Sequence, residues 1–311
     1  MKFDLVSTVT ALVNLTGSGE KSPLPFLLQW LGEPFIMIKK IKDNYLTISL
    51  VGILLIGLSL LLYPTVSDYW NSFHQSEAVA GYVQDVEDMS EQKKAEMLAA
   101  AQAYNQTLQA GVTPDLNLSD SEIKTYDQTL DVTGTGIMAY VEIPKLNTTL
   151  PIYHGTDDTV LQVAIGHIPG TSLPVGGKGT HAVISGHRGL PSAKLFTDID
   201  RLVEGDTFLI QVLDETLTYE VDQILTVTPD DVSALAIDQE QDYVTLVTCT
   251  PYGVNTHRLL VRGHRIANQE NAARVTSEAS QVKPLMVAPF LAIFIFIVLL
   301  LVVNVYRRLR H

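Results

Sequence analysis

Among 311 residues the chain holds a single cysteine, Cys249. With no intrachain partner it builds no disulfide framework, and the default for such a residue is a small, inert core side chain. Its neighbours argue for more. The run Tyr243-Val-Thr-Leu-Val-Thr-Cys-Thr-Pro-Tyr-Gly-Val-Asn-Thr-His-Arg-Leu-Leu-Val-Arg262 reads as a strand, a loop holding Pro251, Gly253 and Asn255, and a returning strand. A strand period of two puts Cys249 on one face with Tyr243, Thr245 and Val247, and Arg258 on one face with Leu260 and Arg262. A hairpin brings the end of the first strand, at Cys249, close to the start of the second, at Arg258. A cation beside a thiol favours the nucleophilic thiolate, and the same guanidinium can hold a developing oxyanion. The ordinary alternative for Arg258 is a surface ion pair.

A thiol nucleophile also needs a proton-transfer partner that titrates near neutrality and can protonate a leaving amine. In His181-Ala-Val-Ile-Ser-Gly-His-Arg-Gly189 a strand runs into a glycine-flanked turn that presents His187. The chain has eight histidines, and a satisfied or exposed imidazole is the default for each. His154, His167, His181, His257 and His264 remain competitors, and spacing alone does not choose among them. A zinc site built from His181, His187, His257 and Cys249 is a further alternative, but the spacings match no compact ligand pair, so no metal is expected. The carboxylates are scattered and give no distinctive pair.

These groups need elements to hold them. Strand patterns rich in Val, Ile, Thr and Tyr are expected at Ile137–Ile143, Leu150–Tyr153, His181–Ser185, Thr207–Leu213, Thr216–Val227, Tyr243–Thr250 and Arg258–Ile266. One helix, capped by Ser192, is expected over Ser192–Leu202. Many short strands with few helices indicate a mainly β fold, a closed barrel or a sandwich. Upstream, residues 76–110 have a helical apolar face of Met97, Ala101, Tyr104 and Leu108 that ends at Gly111 and Pro114. Residues 112–135 read as polar and irregular.

Leu46–Tyr63 is uncharged and just long enough to cross a bilayer as a helix. Lys39, Lys40 and Lys42 precede it, which places that end in the cytoplasm. A cleaved signal peptide is the rival reading, but LLLYPTVSDYW offers no good small-x-small site. Leu285–Val305 is a second apolar run, tolerating Pro289 in its first turns and followed by Arg307, Arg308 and Arg310. The expected order is therefore a cytoplasmic segment (1–44), a transmembrane helix (45–63), an extracellular helical, lid-like segment (64–135), a catalytic barrel (136–268), a linker (269–284), a second transmembrane helix (285–305) and a basic tail (306–311). The net charge of −13 disfavours nucleic acid as a partner.

Thr245-Leu246-Val247-Thr248-Cys249 resembles the TLxTC motif of sortases, with Arg258 matching the family arginine and Ser185-Gly186-His187-Arg188-Gly189 matching the segment of the family histidine. Leu190–Asp200, Cys249–Arg258, Gly155-Thr156 after Pro151–His154, and the C-terminal span are similar to class C sortases, the pilin polymerases of Gram-positive bacteria. The resemblance covers about residues 80–310 and leaves the first 40 unread. It implies an eight-stranded β-barrel, a cell-membrane location and no cofactor. It also implies a two-step reaction. Cys249 attacks the Thr–Gly bond of an LPxTG-like sorting signal while His187 protonates the leaving amine and Arg258 steadies the oxyanion. A lysine amine of another pilin subunit then takes the acyl group. Thr248 is expected to help line the site. Class C enzymes often carry a lid with Asp-Pro-aromatic over the thiol and arginine; here Val112-Thr-Pro-Asp-Leu-Asn-Leu-Ser119 offers only Asp115 and Leu116, without the aromatic anchor.

Three rival functions remain: a housekeeping sortase using a peptidoglycan amine, a non-catalytic membrane-anchored scaffold that binds pilins, and a thiol hydrolase. Acceptor choice separates the first, thioester trapping the second, and the fate of the acyl-enzyme the third.

Overall fold

A computed structural model describes residues 45–268 together with 294, 295, 297, 298, 301 and 302. The expected cytoplasmic segment, linker, basic tail and most of the second span lie outside the described residues. The chain divides into two units, residues 59–289 and residues 1–58 with 290–311. In the second of these, residues 45–58 are helical, as are the six described positions from 294 onward.

The first element is helix α1, Tyr45–Asp88, of 44 residues. Among the described residues it is the one helix long and apolar enough to cross a membrane. It runs through Pro64 and continues past the expected end at Tyr63. The expected helix over 76–110 is accordingly two pieces. Its first part belongs to α1, and a break at Met89–Ser90 leads into α2, Glu91–Thr107, capped by the Ser90 hydroxyl, which accepts from Lys93 N at 3.3 Å. Late in α1, Val79, Tyr82, Val83 and Val86 follow the three- and four-residue spacing of a single face and are all buried. Tyr82 Oη accepts from Leu213 N at 2.8 Å and donates to Met138 O at 3.2 Å, so this face is fixed to the barrel by polar contacts as well as apolar ones.

Residues expected to be irregular contain helix α3, Asp120–Gln128, opened by a reciprocal capping box between Ser119 and Glu122. The barrel follows: β1 Ile137–Ile143, β2 Thr148–His154, a short helix α4 Asp158–Leu161, β3 Ile165–His167, β4 Thr180–Ser185, β5 Thr207–Val212, β6 Glu215–Val227, β7 Asp242–Thr250 and β8 His257–Ile266. They close in the order β1-β2-β3-β4-β7-β8-β6-β5, with β2–β3 and β4–β7 parallel. The mainly β, eight-stranded closed barrel expected above is what forms. β3 was not anticipated, because three residues carry no readable period.

The helix expected over Ser192–Leu202 does not form; that stretch holds only a single 3-10 turn at Ile199–Arg201. Leu195 takes a left-handed backbone with φ 39°, and Ala193, Leu195, Phe196, Ile199 and Leu202 are all buried. Packing of these side chains overrides the local helical pattern.

Both faces of β7 are covered. Val244 and Leu246 belong to the main core. Val247 on the other face packs with Val183 of β4, Leu260 of β8 and Leu235, which sits on the 3-10 turn Ser233–Leu235 of the β6–β7 connection. This second apolar cluster is buried on the Cys249 face of β7, with Ile168, Leu225, Val227, Val232 and Ala234 packed against it.

Candidate active site

Strands β7 and β8 carry two of the chemistry-bearing residues, and the turn after β4 carries the third. In the β7–β8 ladder Cys249 pairs directly with Arg258. Directly opposed residues in an antiparallel pair project from the same face with Cβ atoms roughly 5 Å apart. Cys249 is a free thiol and partly accessible. Arg258 Nη1 donates to the carbonyls of Asn255 at 3.3 Å and His257 at 3.2 Å. Among the described residues no carboxylate lies within 4.0 Å of its guanidinium.

His187 arrives from the neighbouring parallel strand. Ser185 of β4 pairs with Val247 of β7. One residue on, Gly186 N donates to Val247 O at 3.0 Å, and Thr248 Oγ1 donates to Gly186 O at 2.7 Å. Continued past Gly186, the β4–β7 register sets position 187 opposite Cys249. Behind it, Phe196 N donates to His187 O at 3.1 Å and Gly189 N to Thr197 Oγ1 at 3.1 Å. Gly186 has no room for a side chain: a Cβ there would lie 2.7 Å from both Ile165 and Phe196. At Gly189, with φ +75°, a Cβ would lie 2.9 Å from the Tyr252 ring of the β7–β8 loop.

Thr248 does not lie on the Cys249 face. It is 2% exposed, alternates to the opposite face from Cys249, and spends its hydroxyl on Gly186 O; its contact fixes the turn that presents His187. Arg188 carries no sequence signal of its role. It pairs with Asp200 and donates to Thr250 Oγ1 at 3.2 Å, tying the His187 turn to the residue after the thiol. No local pattern links positions 188, 200 and 250, so the tie is invisible before folding.

Three of the competing histidines are committed to structure. His167 is fully buried, with Nδ1 facing Tyr126 Oη at 2.9 Å and Nε2 facing Ser172 O at 2.7 Å; burial holds it neutral, down to about 3. His181 spans Ala236 O at 3.0 Å and Thr245 Oγ1 at 2.7 Å. Burial lowers it to about 4, against the opposing pull of the Ala236 carbonyl. His154 lies between the carbonyls of Gly136 at 3.0 Å and Thr129 at 2.8 Å. His257 sits opposite Thr250, alternating away from Cys249, with Nδ1 2.9 Å from Thr256 Oγ1. Among the described residues no group of three or more His, Cys, Asp or Glu is disposed to hold a metal ion.

The segment with Asp115 and Leu116 packs against the β3–β4 connection and the residues after Leu235. Gly111 N donates to Ile237 O at 2.8 Å, and the Asp115 carbonyl lies against Gly170, 2.1 Å from where a Cβ would stand. Asp115 Oδ1 accepts from Asn117 N at 2.9 Å, and Leu116 is exposed. The segment borders an open cavity of about 850 Å³ lined by Tyr104, Thr171, His181, Leu235 and Ile237.

The Sortase domain family profile matches residues 141–266. Sortase C1 from Streptococcus agalactiae is 49% identical at a TM-score of 0.60, covering 62% of this chain and all of that one. Sortase C of Streptococcus pneumoniae, a structure described for its bearing on catalysis and pilin substrate specificity, is 42% identical at a TM-score of 0.57, covering 64% of this chain and all of that one. Sortase D of Bacillus subtilis (strain 168) is 31% identical over 129 residues, 40% of this chain, and the match spans 62% of that relative's length. Closed barrel, thiol–arginine pairing and these likenesses agree: the chain belongs to the sortase family of cysteine transpeptidases.

Proposed function

We propose that this chain is a membrane-anchored transpeptidase that polymerises pilin subunits through a thioester on Cys249. The observation that carries the reading is the direct cross-strand pairing of Cys249 with Arg258, with the His187 turn clamped to the two residues before the thiol. The Cys249 thiolate attacks the Thr carbonyl of an LPxTG-like signal. Arg258, with no carboxylate partner among the described residues, stabilises the oxyanion of the tetrahedral intermediate. Its collapse breaks the Thr–Gly C–N bond, and His187 gives its proton to the departing amine. A lysine amine of a second pilin attacks the thioester; the C–S bond breaks, an isopeptide bond forms, and the proton of the attacking amine passes to His187. Acyl energy is conserved in the thioester, so the exchange runs without a cofactor.

The pilin assignment is supported by similarity to sortase C enzymes. The apolar start of α1 supports membrane anchoring. Two spans with the barrel outside the cell complete the proposed topology, the second resting on the sequence of residues 285–305. The test has two stages. A sorting-signal peptide should acylate Cys249 as seen by intact mass, and pilin substrates should then give a ladder on a denaturing gel. Acylation without a ladder, with transfer only to a peptidoglycan-stem amine, would replace polymerisation by cell-wall anchoring; no acylation at all would leave a binding scaffold.

A further inference from the structure

One turn beyond the apolar stretch of α1, three polar side chains at positions 68, 71 and 75 share a helix face by their three- and four-residue spacing. Each is hydrogen-bonded to the backbone of a barrel loop. Asp68 Oδ1 accepts from Lys194 N at 2.7 Å, Asn71 Nδ2 donates to Ser192 O at 2.7 Å, and Gln75 Nε2 donates to Val163 O at 2.6 Å. Ser192 and Lys194 belong to the β4–β5 connection, the stretch that failed to become a helix. Its only regular turn is Ile199–Arg201. This connection also supplies Phe196 N to His187 O and Thr197 Oγ1 to Gly189 N. A continuous path of hydrogen bonds and two- to three-residue backbone steps thus runs from α1 to the backbone of His187.

We infer that Asp68 and Asn71 are positioning residues for the sortase reaction, holding the 190–197 loop so that His187 stays aligned with Cys249. The inference rests on the transpeptidase reading above. It explains why two short polar side chains next to an apolar span are spent on main-chain atoms of a distant loop, 121 and 126 residues away in sequence. It also assigns the helix leaving the membrane segment a part in catalysis besides tethering. The polarity of each bond is specific. Position 68 must offer an acceptor to an amide N–H, and position 71 a donor to a carbonyl.

The experiment uses the full chain in detergent micelles with two acyl donors, a sorting-signal peptide and its depsipeptide with an ester at the scissile bond. Turnover is expressed per titratable Cys249 thiol, so misfolded protein is not counted. An amide needs its leaving nitrogen protonated; an ester oxygen leaves with far less help. The Asp68→Ala/Asn71→Ala variant is expected to lose roughly tenfold in kcat on the peptide with KM nearly unchanged, a fraction of the hundredfold or more that general acid catalysis supplies, and to stay within about twofold on the depsipeptide. Asp68→Asn keeps an acceptor oxygen and should restore the peptide rate. Asn71→Asp sets a carboxylate against Ser192 O and should not, a pair that decides the matter even if the alanine variant fails to fold. Equal peptide turnover in Asn71→Asp and wild type, or equal losses on both donors, overturns the inference. Wild-type protein that forms no thioester with either donor would instead overturn the transpeptidase reading itself.

Discussion

Replacing Gly186 with alanine adds one methyl group at the tightest point behind the site. Its Cβ would stand 2.7 Å from Ile165 Cγ2 and 2.7 Å from Phe196 Cδ2, where carbon atoms prefer about 3.5–4.0 Å. Gly186 itself cannot retreat, because its N–H and C=O are both held by β7. Ile165 lies in β3, paired on both sides. The relief must come mainly from Phe196, displaced by about 1 Å to reach ordinary contact. Phe196 N is the donor to His187 O, so the imidazole moves with it. Overpacking of this kind costs about 1–3 kcal/mol, a drop of about 3–9 °C in Tm for a domain of this size. A misplacement of about 1 Å at a reacting group costs on the order of a hundredfold in rate. Gly186→Ala should therefore fold, melt lower, and turn over a sorting-signal peptide roughly a hundredfold more slowly at saturating substrate. Melting by circular dichroism and turnover by chromatography read the two effects. Wild-type kcat in a variant with the expected loss of Tm would refute the coupling of Phe196 to His187; unchanged Tm would refute the packing argument as well.

Arg258→Lys keeps the charge but loses the planar fork, and should lower acylation of Cys249 by roughly a hundredfold or more, read as thioester formed per unit time by mass spectrometry. His167 and His181 are held neutral in the fold, down to about 3 and about 4, while an unfolded histidine titrates near 6.5. The unfolded chain binds the extra protons, so their contribution is present above about pH 6.5 and is lost as pH falls toward 4. The expected slope is up to about 1.4 kcal/mol per pH unit for each, and His181→Gln should halve it in denaturant titrations between pH 4 and 6.5. Asn105 is buried, donating to Leu173 O at 3.1 Å and accepting from Leu173 N at 2.7 Å. Asn105→Ala strands both groups and should cost about 2–4 kcal/mol, measured as a shift in the denaturation midpoint, with the thiol chemistry of Cys249 retained.

Much of the site was legible in order along the chain. The Tyr243–Arg262 run fixed a strand, a loop and a return, and a period of two put Cys249 and Arg258 at the hairpin mouth, where the ladder pairs them. The capping box at Ser119 and Glu122 is equally local. What sequence order could not supply was everything set by parallel or distant pairing. Choosing His187 over five other histidines required the β4–β7 register, a contact between segments some 60 residues apart with no turn to encode it. The inward turn of Thr248, the Arg188–Asp200–Thr250 tie and the irregular 190–197 loop were likewise decided by packing, because a buried side chain such as Phe196 gains more from filling a core site than its neighbours gain from a helical turn. The sequence thus singled out the candidate nucleophile, its candidate cation and the strands beneath them, since those depend on residue type and short-range period. Closure of the barrel decided which imidazole follows the strand beside β7 and what holds its turn there, since that depends on surfaces that meet only once the chain has folded.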